Sequence, residues 1–349
     1  MHNCSDDVVC YHEDEVTLPQ SERSAMSDRR NANRDRLVAG LEKAEKPTPI
    51  EFKSQGSYAM RTMTQHNENA YDIDDGVYFE KTDLVGARGA EMTPLQVRQM
   101  VRDAVDDGSF TTPPDVHKNC VRVYYKAGYH VDLPAYRRVV TKDFLQNESV
   151  HYELASSEWK RSDARDVTVW FDGENQRQSP DVTNGRQLRR MTRLLKKFAR
   201  SRSSWESQVL SGFGISKLVT ECYRPNESRE DSALYETMVA IRDRLKLNLV
   251  VSHPVTPRDT ITTGPEDSKA KFFKDKLSDA IGWLQPLFSS GCTRKEALKC
   301  WDDVFYSEYF SERLDVKASS KASALNSGLF VSSNVPASAV EKAGGERYA

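Results

Sequence analysis

Along the chain the spacing of apolar positions changes character twice. From about Gln20 to Ala44 apolar residues are sparse, with Leu37, Val38 and Leu41 the clearest contacts. This predicts a long polar helix that Pro47 and Pro49 end. From Glu51 to Phe144 short β-like runs dominate: Tyr71–Phe79, Val121–Tyr125 and Tyr129–Val139. One helix interrupts them, capped by Thr93, with Pro94 in its first turn and Gly108 as its stop. Leu95, Val97, Met100, Val101, Ala104 and Val105 are its expected apolar cover. After Phe144 strand signals thin and helical steps take over, as in Leu234, Met238, Ile241 and Leu245, then Leu277, Ile281 and Leu284. Thr293 with Glu296 is a capping-box pattern ahead of Ala297, Leu298 and Trp301. The pattern predicts an α/β lobe followed by a helical lobe, with a cleft between them.

Composition alters this picture mainly at the ends. Residues 1–15 carry five acids and no Lys or Arg, which predicts a disordered acidic leader. Residues 316–349 hold 14 Ser or Ala among 34, which predicts a flexible tail. The expected domains are the leader 1–15, an N-terminal helix and core over 16–144, a helical lobe over 145–315, and the tail 316–349. Across all 349 residues, 50 Lys and Arg face 52 Asp and Glu, so the net charge is −2 and binding of nucleic acid by bulk charge is excluded. There is no run of 18 apolar residues to span a membrane. The polar, acidic start does not suit a secretion signal, and the six cysteines form no CxxC pair. The expectation is a cytoplasmic protein with reduced thiols, in which Cys4, Cys10 and His12 are incidental.

The candidate chemistry lies in Gln55-Gly56-Ser57-Tyr58 and Asp72-Ile73-Asp74-Asp75-Gly76. Side chains two apart on a strand share a face, so Asp72 and Asp74 project together while Ile73 enters the core. Paired carboxylates repel unless a cation sits between them, and hard oxygen ligands suit Mg²⁺, with Mn²⁺ as an alternative. Gly56 permits close backbone approach, and Ser57 suits the cap of a helix whose N-terminus favours phosphate. Asp132, between apolar neighbours in the second strand of a hairpin turning at Ala127-Gly128, is costly if buried alone. Facing the same ions it becomes a third ligand and a base for the attacking hydroxyl. Asp75 is expected to point away. Each element alone is common in turns and solvated faces; their order is far more specific.

In this order the motifs resemble the cGAS/DncV-like nucleotidyltransferases of bacterial CBASS anti-phage defence, within them the branch of the Vibrio cyclic GMP-AMP synthase. The matching stretches are Gln55-Gly56-Ser57, Asp72-Ile73-Asp74-Asp75-Gly76-Val77-Tyr78, Val131-Asp132-Leu133-Pro134-Ala135-Tyr136 and Lys142-Asp143-Phe144. The resemblance implies an α+β fold: a Pol-β-like lobe with a mixed sheet, a helical second lobe and an active-site cleft between them. It implies two Mg²⁺ held by Asp72, Asp74 and Asp132, and ATP and GTP as substrates of two nucleotidyl transfers that close a cyclic dinucleotide, cyclic GMP-AMP being the leading product. It further implies nucleotide contacts at Gln55, Gly56 and Ser57, a triphosphate contact at Lys196, and a serine contact at Ser211 or Ser216. Met60 stands where that branch has a base-stacking Tyr. A downstream effector activated by the cyclic nucleotide is implied, without any nucleic acid or membrane requirement. The end Gly344-Gly345-Glu346-Arg347-Tyr348-Ala349 suits capture by a ubiquitin-transfer-like partner.

Around Lys196, residues 186–202 hold eight Lys or Arg and no acid. Arg189, Arg193, Lys196 and Arg200 fall on one helical stripe, expected to grip a triphosphate. Two other classes remain open on residues alone: an oligoadenylate or poly(A)-type polymerase or a nucleotidyltransferase acting on a small molecule or protein, and a non-enzymatic binding module.

Overall fold

The computed structural model describes residues 1–65, 71–86, 89–126, 128–256 and 258–314. Its first lobe is built on a mixed eight-stranded sheet: β1 (Glu51–Gln55), β2 (Asp72–Glu80), β3 (Asp115–Val116), β4 (Val121–Tyr124), β5 (His130–Leu133), β6 (Ala135–Lys142), β7 (Glu148–Ala155) and β8 (Trp159–Arg161). β1 runs antiparallel to β2. β5 and β6 both run parallel to β2 in one continuous register, each β2 residue facing the residue 58 positions later. The expected strand Tyr129–Val139 is thus interrupted only at Pro134, whose carbonyl still accepts from Val77 N at 2.9 Å.

Numbering the helices in chain order, α1 spans Ser5–Tyr11, α2 Gln20–Lys43, α3 Gly56–Ala59, α4 Pro94–Val105, α5 Ala164–Gln178 and α6 Gln187–Ala199. They continue with α7 Gly212–Cys222, α8 Glu230–Leu247, α9 Ser268–Trp283, α10 Arg294–Phe305 and α11 Tyr309–Glu312. α2 and α4 cover the sheet, packing Leu37, Leu41, Val97 and Val101 against Val77, Phe79 and Val131. The Thr93–Gln96 capping box begins α4 as expected, but Leu95 is 48% exposed and lies on its outer face. Asp75 points away from the acidic pair, accepting Arg34 Nε and Nη2 at 2.6 Å each and Ser54 Oγ at 3.0 Å. It fastens α2 to the sheet. Leu234, Met238, Ile241 and Leu245 of α8 and Leu277 and Ile281 of α9 form the helical-lobe core with Leu298 and Trp301 of α10.

Two boundaries differ from expectation. The leader 1–15 is ordered: α1 and one π-helical turn (His12–Val16) bury Val8, Tyr11 and Val16 in the helical-lobe core. Its acids have specific partners. Asp7 accepts both Arg294 terminal nitrogens at 2.9 and 3.0 Å, and Asp14 accepts Tyr309 Oη at 2.6 Å. Composition counted these charges but not the apolar residues spaced between them, which drive the docking. The lobe boundary also moves. β7 and β8 extend the sheet past Phe144, so the helical region starts at α5 and not at 145. β7 is a half-exposed outer strand with a polar face, so it lacks the apolar run that marks a buried one. The tail 316–349 lies outside the described residues.

Candidate active site

The parallel register of β2 and β5 sets Asp72 opposite His130 and Asp74 opposite Asp132. Opposed residues of paired strands share a face, so the three acids expected together do lie on one face. On the far side of β5, β4 sets Arg122 opposite Asp132. Two of the carboxylates already have partners: Arg122 Nε and Nη2 donate to the two Asp132 oxygens at 2.8 and 2.7 Å, and His130 Nδ1 lies 3.0 Å from Asp72 Oδ1. Among the described residues no three His, Cys, Asp or Glu side chains converge closely enough, as they stand, to hold a metal ion. Asp74 is left in the middle. Burial, then the Asp132 and Asp72 charges, push its carboxyl up to about 7, with Arg122 opposing them.

The donor set nevertheless fits a divalent cation. It is all hard oxygen, and among the described residues Asp74 has no cationic partner at hydrogen-bond range. Gly56 makes room for it. Its φ is +64°, and a Cβ there would stand 2.1 Å from Asp74 Oδ2. Both the backbone angle and the close approach therefore require glycine. Gln55 ends β1 and accepts Tyr136 Oη at 3.2 Å. Ser57 lies inside the four-residue α3 and does not cap it; the cap position is Gln55, with no side-chain bond.

These residues line a cavity of about 430 Å³ between the lobes, with Gln55, Gly56, Ser57, Asp72 and Asp74 on one side and Lys196, Arg200 and Gly212 on the other. Lys196 is buried, donates to Thr62 Oγ1 at 2.8 Å, and is pulled down to about 7 by burial and by the nearby Arg200 and Arg193. A second space of about 310 Å³ shares Asp72, Lys196, Arg200 and Gly212 and adds Ser211 and Lys269. Ser211 caps α7, accepting Gly214 N at 3.1 Å. Ser216 does not reach the site: it is fully buried in α7 and donates to its own Gly212 carbonyl at 2.9 Å. Met60 lines the first cavity but is 2% exposed and packed in the helical-lobe core.

Only part of the basic stripe faces the cavity. Arg189 Nε donates to the Met60 carbonyl at 3.0 Å and Arg193 Nε to the Arg61 carbonyl at 2.8 Å, while Lys196 Nζ lies 3.3 Å from that of Thr62. Three consecutive carbonyls after α3 are held by three consecutive members of the stripe. Of the stripe expected to grip a triphosphate, only Lys196 and Arg200 line the cavities, whereas Arg189 and Arg193 are spent on the backbone beside them. Sequence reasoning also missed Arg122. A hairpin folded symmetrically about position 127 already pairs it with Asp132, so the signal was in the register. Lys269, Phe213 and His253 carried no local signal, since only the packing of distant elements brings them to the cavities.

Residues 50–136 match the nucleotidyltransferase domain of the cyclic GMP-AMP synthase DncV-like family. The fold over most of the chain is shared with solved structures of low identity. One is the Vibrio cholerae DncV cyclic AMP-GMP synthase, at TM-score 0.69 and 17% identity over 89% of this chain and 98% of that one. Another is Escherichia coli DncV bound to 3'-deoxy GTP, at TM-score 0.66 and 16% identity over 90% and 97%. A third is the Bradyrhizobium diazoefficiens CD-NTase CdnG in complex with GTP, at TM-score 0.65 and 14% identity over 90% and 98%.

Proposed function

We propose that the chain, whose residues 50–136 match a DncV-like nucleotidyltransferase domain, is a cyclic dinucleotide synthase acting on ATP and GTP, with cyclic GMP-AMP its leading product. The observation that carries this reading is the register that sets Asp74 opposite Asp132, with Asp74 and Gly56 lining a cavity that Lys196 closes from the other lobe. Lys196 and Arg200 hold the triphosphate of one nucleotide, and Gly56 lets it approach the acidic face. A ribose hydroxyl of the second nucleotide attacks the α-phosphorus in line. The new P–O bond forms as the bond to the bridging oxygen of the β-phosphate breaks, and pyrophosphate leaves. The hydroxyl proton passes to the acidic centre, where Asp132 is the proposed base. Asp72, Asp74 and Asp132 would hold two Mg²⁺, or Mn²⁺, which when bound neutralise charge on the α-phosphate and the leaving group. A second transfer within the linear dinucleotide closes the ring. Positioning and charge neutralisation supply most of the rate.

The product would act as an anti-phage second messenger on a cyclic-nucleotide-activated effector in the cytoplasm, with no nucleic-acid activator. A ubiquitin-transfer-like partner at the C-terminal Ala349 belongs to the same reading. Incubation with labelled ATP, GTP, CTP and UTP and Mg²⁺ tests it. A phosphatase-resistant cyclic product supports the proposal, a ladder indicates the polymerase, and no turnover indicates a binding module. Mass spectrometry of the product identifies the bases.

A further inference from the structure

The lining of the cavity that holds Asp74 divides by chemistry. Asp72, Asp74, Lys196 and Arg200 are charged, whereas Ser162, Ala164, Val167, Phe213 and His253, from β8–α5, α7 and the α8–α9 connection, form an uncharged part. A triphosphate needs the charged part, which leaves the uncharged part to the base. Met60 is packed away, and Tyr71, also in the lining, is only 5% exposed. Phe213 and His253 are the remaining rings among the described lining residues, their centroids 5.3 Å apart and their planes at 65°.

His253 is held in a defined state. Its Nδ1 accepts the backbone N–H of Thr256 at 3.0 Å and of Val255 at 3.4 Å. A ring nitrogen that accepts is unprotonated, so the neutral ring carries its proton on Nε2. Burial lowers the pKa of the ring; Asp259 opposes this and Lys160 adds to it, so the neutral form prevails near pH 7. The connection is closed on itself and tied to the first lobe. His253 N donates to the Asp259 carbonyl at 2.8 Å, and Lys160 of β8 pairs with the Asp259 carboxylate at 2.8 Å.

We propose that Phe213 and His253 are the base-reading end of the nucleotide site: Phe213 is the stacking platform, and His253 Nε2–H donates to an acceptor on the base edge, a purine N7 or O6 or a pyrimidine carbonyl. This rests on reading the cavity as a nucleoside triphosphate site. A donor with one assigned tautomer discriminates because a base presenting an amino group there leaves two donors facing each other. It also gives the site a stacking ring despite Met60.

The test is calorimetric binding of the α,β-methylene analogues of ATP, GTP, CTP and UTP to the full chain. His253→Asn is the informative variant, because the Asn side-chain oxygen still accepts the local N–H groups while the donor towards the cavity is withdrawn. We expect an unchanged melting temperature, a loss of about tenfold for the analogue the wild type binds best, and less than twofold for the weakest, so that discrimination collapses. Phe213→Leu should weaken all four by about tenfold without reordering them. Unchanged discrimination in His253→Asn, or an equal loss for all four, overturns the assignment of His253. Unchanged affinities in Phe213→Leu overturn the platform. If the wild type binds none of the four, the nucleotide reading of the cavity fails, and this inference with it.

Discussion

Replacing Asp74 by Asn should stabilise the metal-free protein while abolishing synthesis. The carboxyl sits on a face with Asp72 and Asp132, and burial and those charges raise it from 3.8 to about 7. A group whose folded pKa is raised favours folding below its unfolded value and loses that contribution as pH rises through the folded one. The wild type should therefore lose stability relative to Asp74→Asn between about pH 4 and pH 7, with the difference constant above. At about 1.4 kcal/mol per tenfold, the full effect is about 4 kcal/mol, and about 2 kcal/mol once the face relaxes around the new amide. At roughly 2 °C per kcal/mol for a chain of this size, the variant should melt about 4–8 °C higher at pH 8 in EDTA and nearly equal to wild type at pH 4. Added Mg²⁺ should raise the wild-type melting temperature and leave the variant unmoved. Scanning calorimetry at both pH values, beside product analysis, reads all of this. A variant that melts lower at pH 8, or one that still makes product, would refute the argument from electrostatic crowding.

Arg122→Gln should do the opposite in metal-free buffer, because it leaves the 7%-exposed Asp132 without its bidentate partner. We expect about 3 kcal/mol of destabilisation and a larger gain in melting temperature on adding Mg²⁺ than in wild type. Lys196→Met should raise KM for NTP about tenfold. Since Lys196 titrates near 7 when free and must be charged to meet a phosphate, nucleotide affinity should fall from pH 6.5 to 8.5 in wild type and fall less in this variant, measured by calorimetry. Tyr11→Ala should cost about 3 kcal/mol in denaturant unfolding, because its ring packs against Phe305, Tyr309 and Phe310; a random-coil leader would show no change.

The parts of this fold that were legible in advance carry their signal locally. Thr93 with Gln96 and Thr293 with Glu296 are caps written within four residues, and both capping boxes form. The strand bearing Asp72 and Asp74 is marked by its own apolar alternation and needs no distant partner to be recognised. What was illegible depends on partners far away in sequence. The polar face of β7 looks like a loop until β6 pairs with it from Tyr136–Leu154 to Lys142–Glu148. The acidic leader looks unstructured until Arg294 and Arg229 are known to lie beside it, the latter donating to the His2 carbonyl at 3.1 Å. Ser216 satisfied a spacing, but the α7 helix turned its hydroxyl back on itself.

The stripe on α6 shows why a charge pattern predicts a site less well than it predicts a need for compensation. Four like charges at helical spacing repel, so they imply an opposing partner without saying which. Here the partner is divided. Arg189 and Arg193 are neutralised in effect by carbonyl dipoles of 60 and 61, with Asp172 adding a charge to Arg189, while Arg190 on the flank takes Glu230 and Asp181. The same segment is gripped from its other end by the N-terminal region: Gln65 N donates to the Val16 carbonyl at 3.0 Å, and Thr17 bridges Thr64. Thr62, Met63 and Thr64 line the cavity, so the helical lobe and the N-terminal region together set one wall of the proposed nucleotide site. Lys196 alone combines both roles, bonded to Thr62 on one side and lining the cavity on the other. Removing Arg189 or Arg193 should therefore loosen that wall and raise KM, whereas removing Lys196 should also withdraw a charge from the substrate.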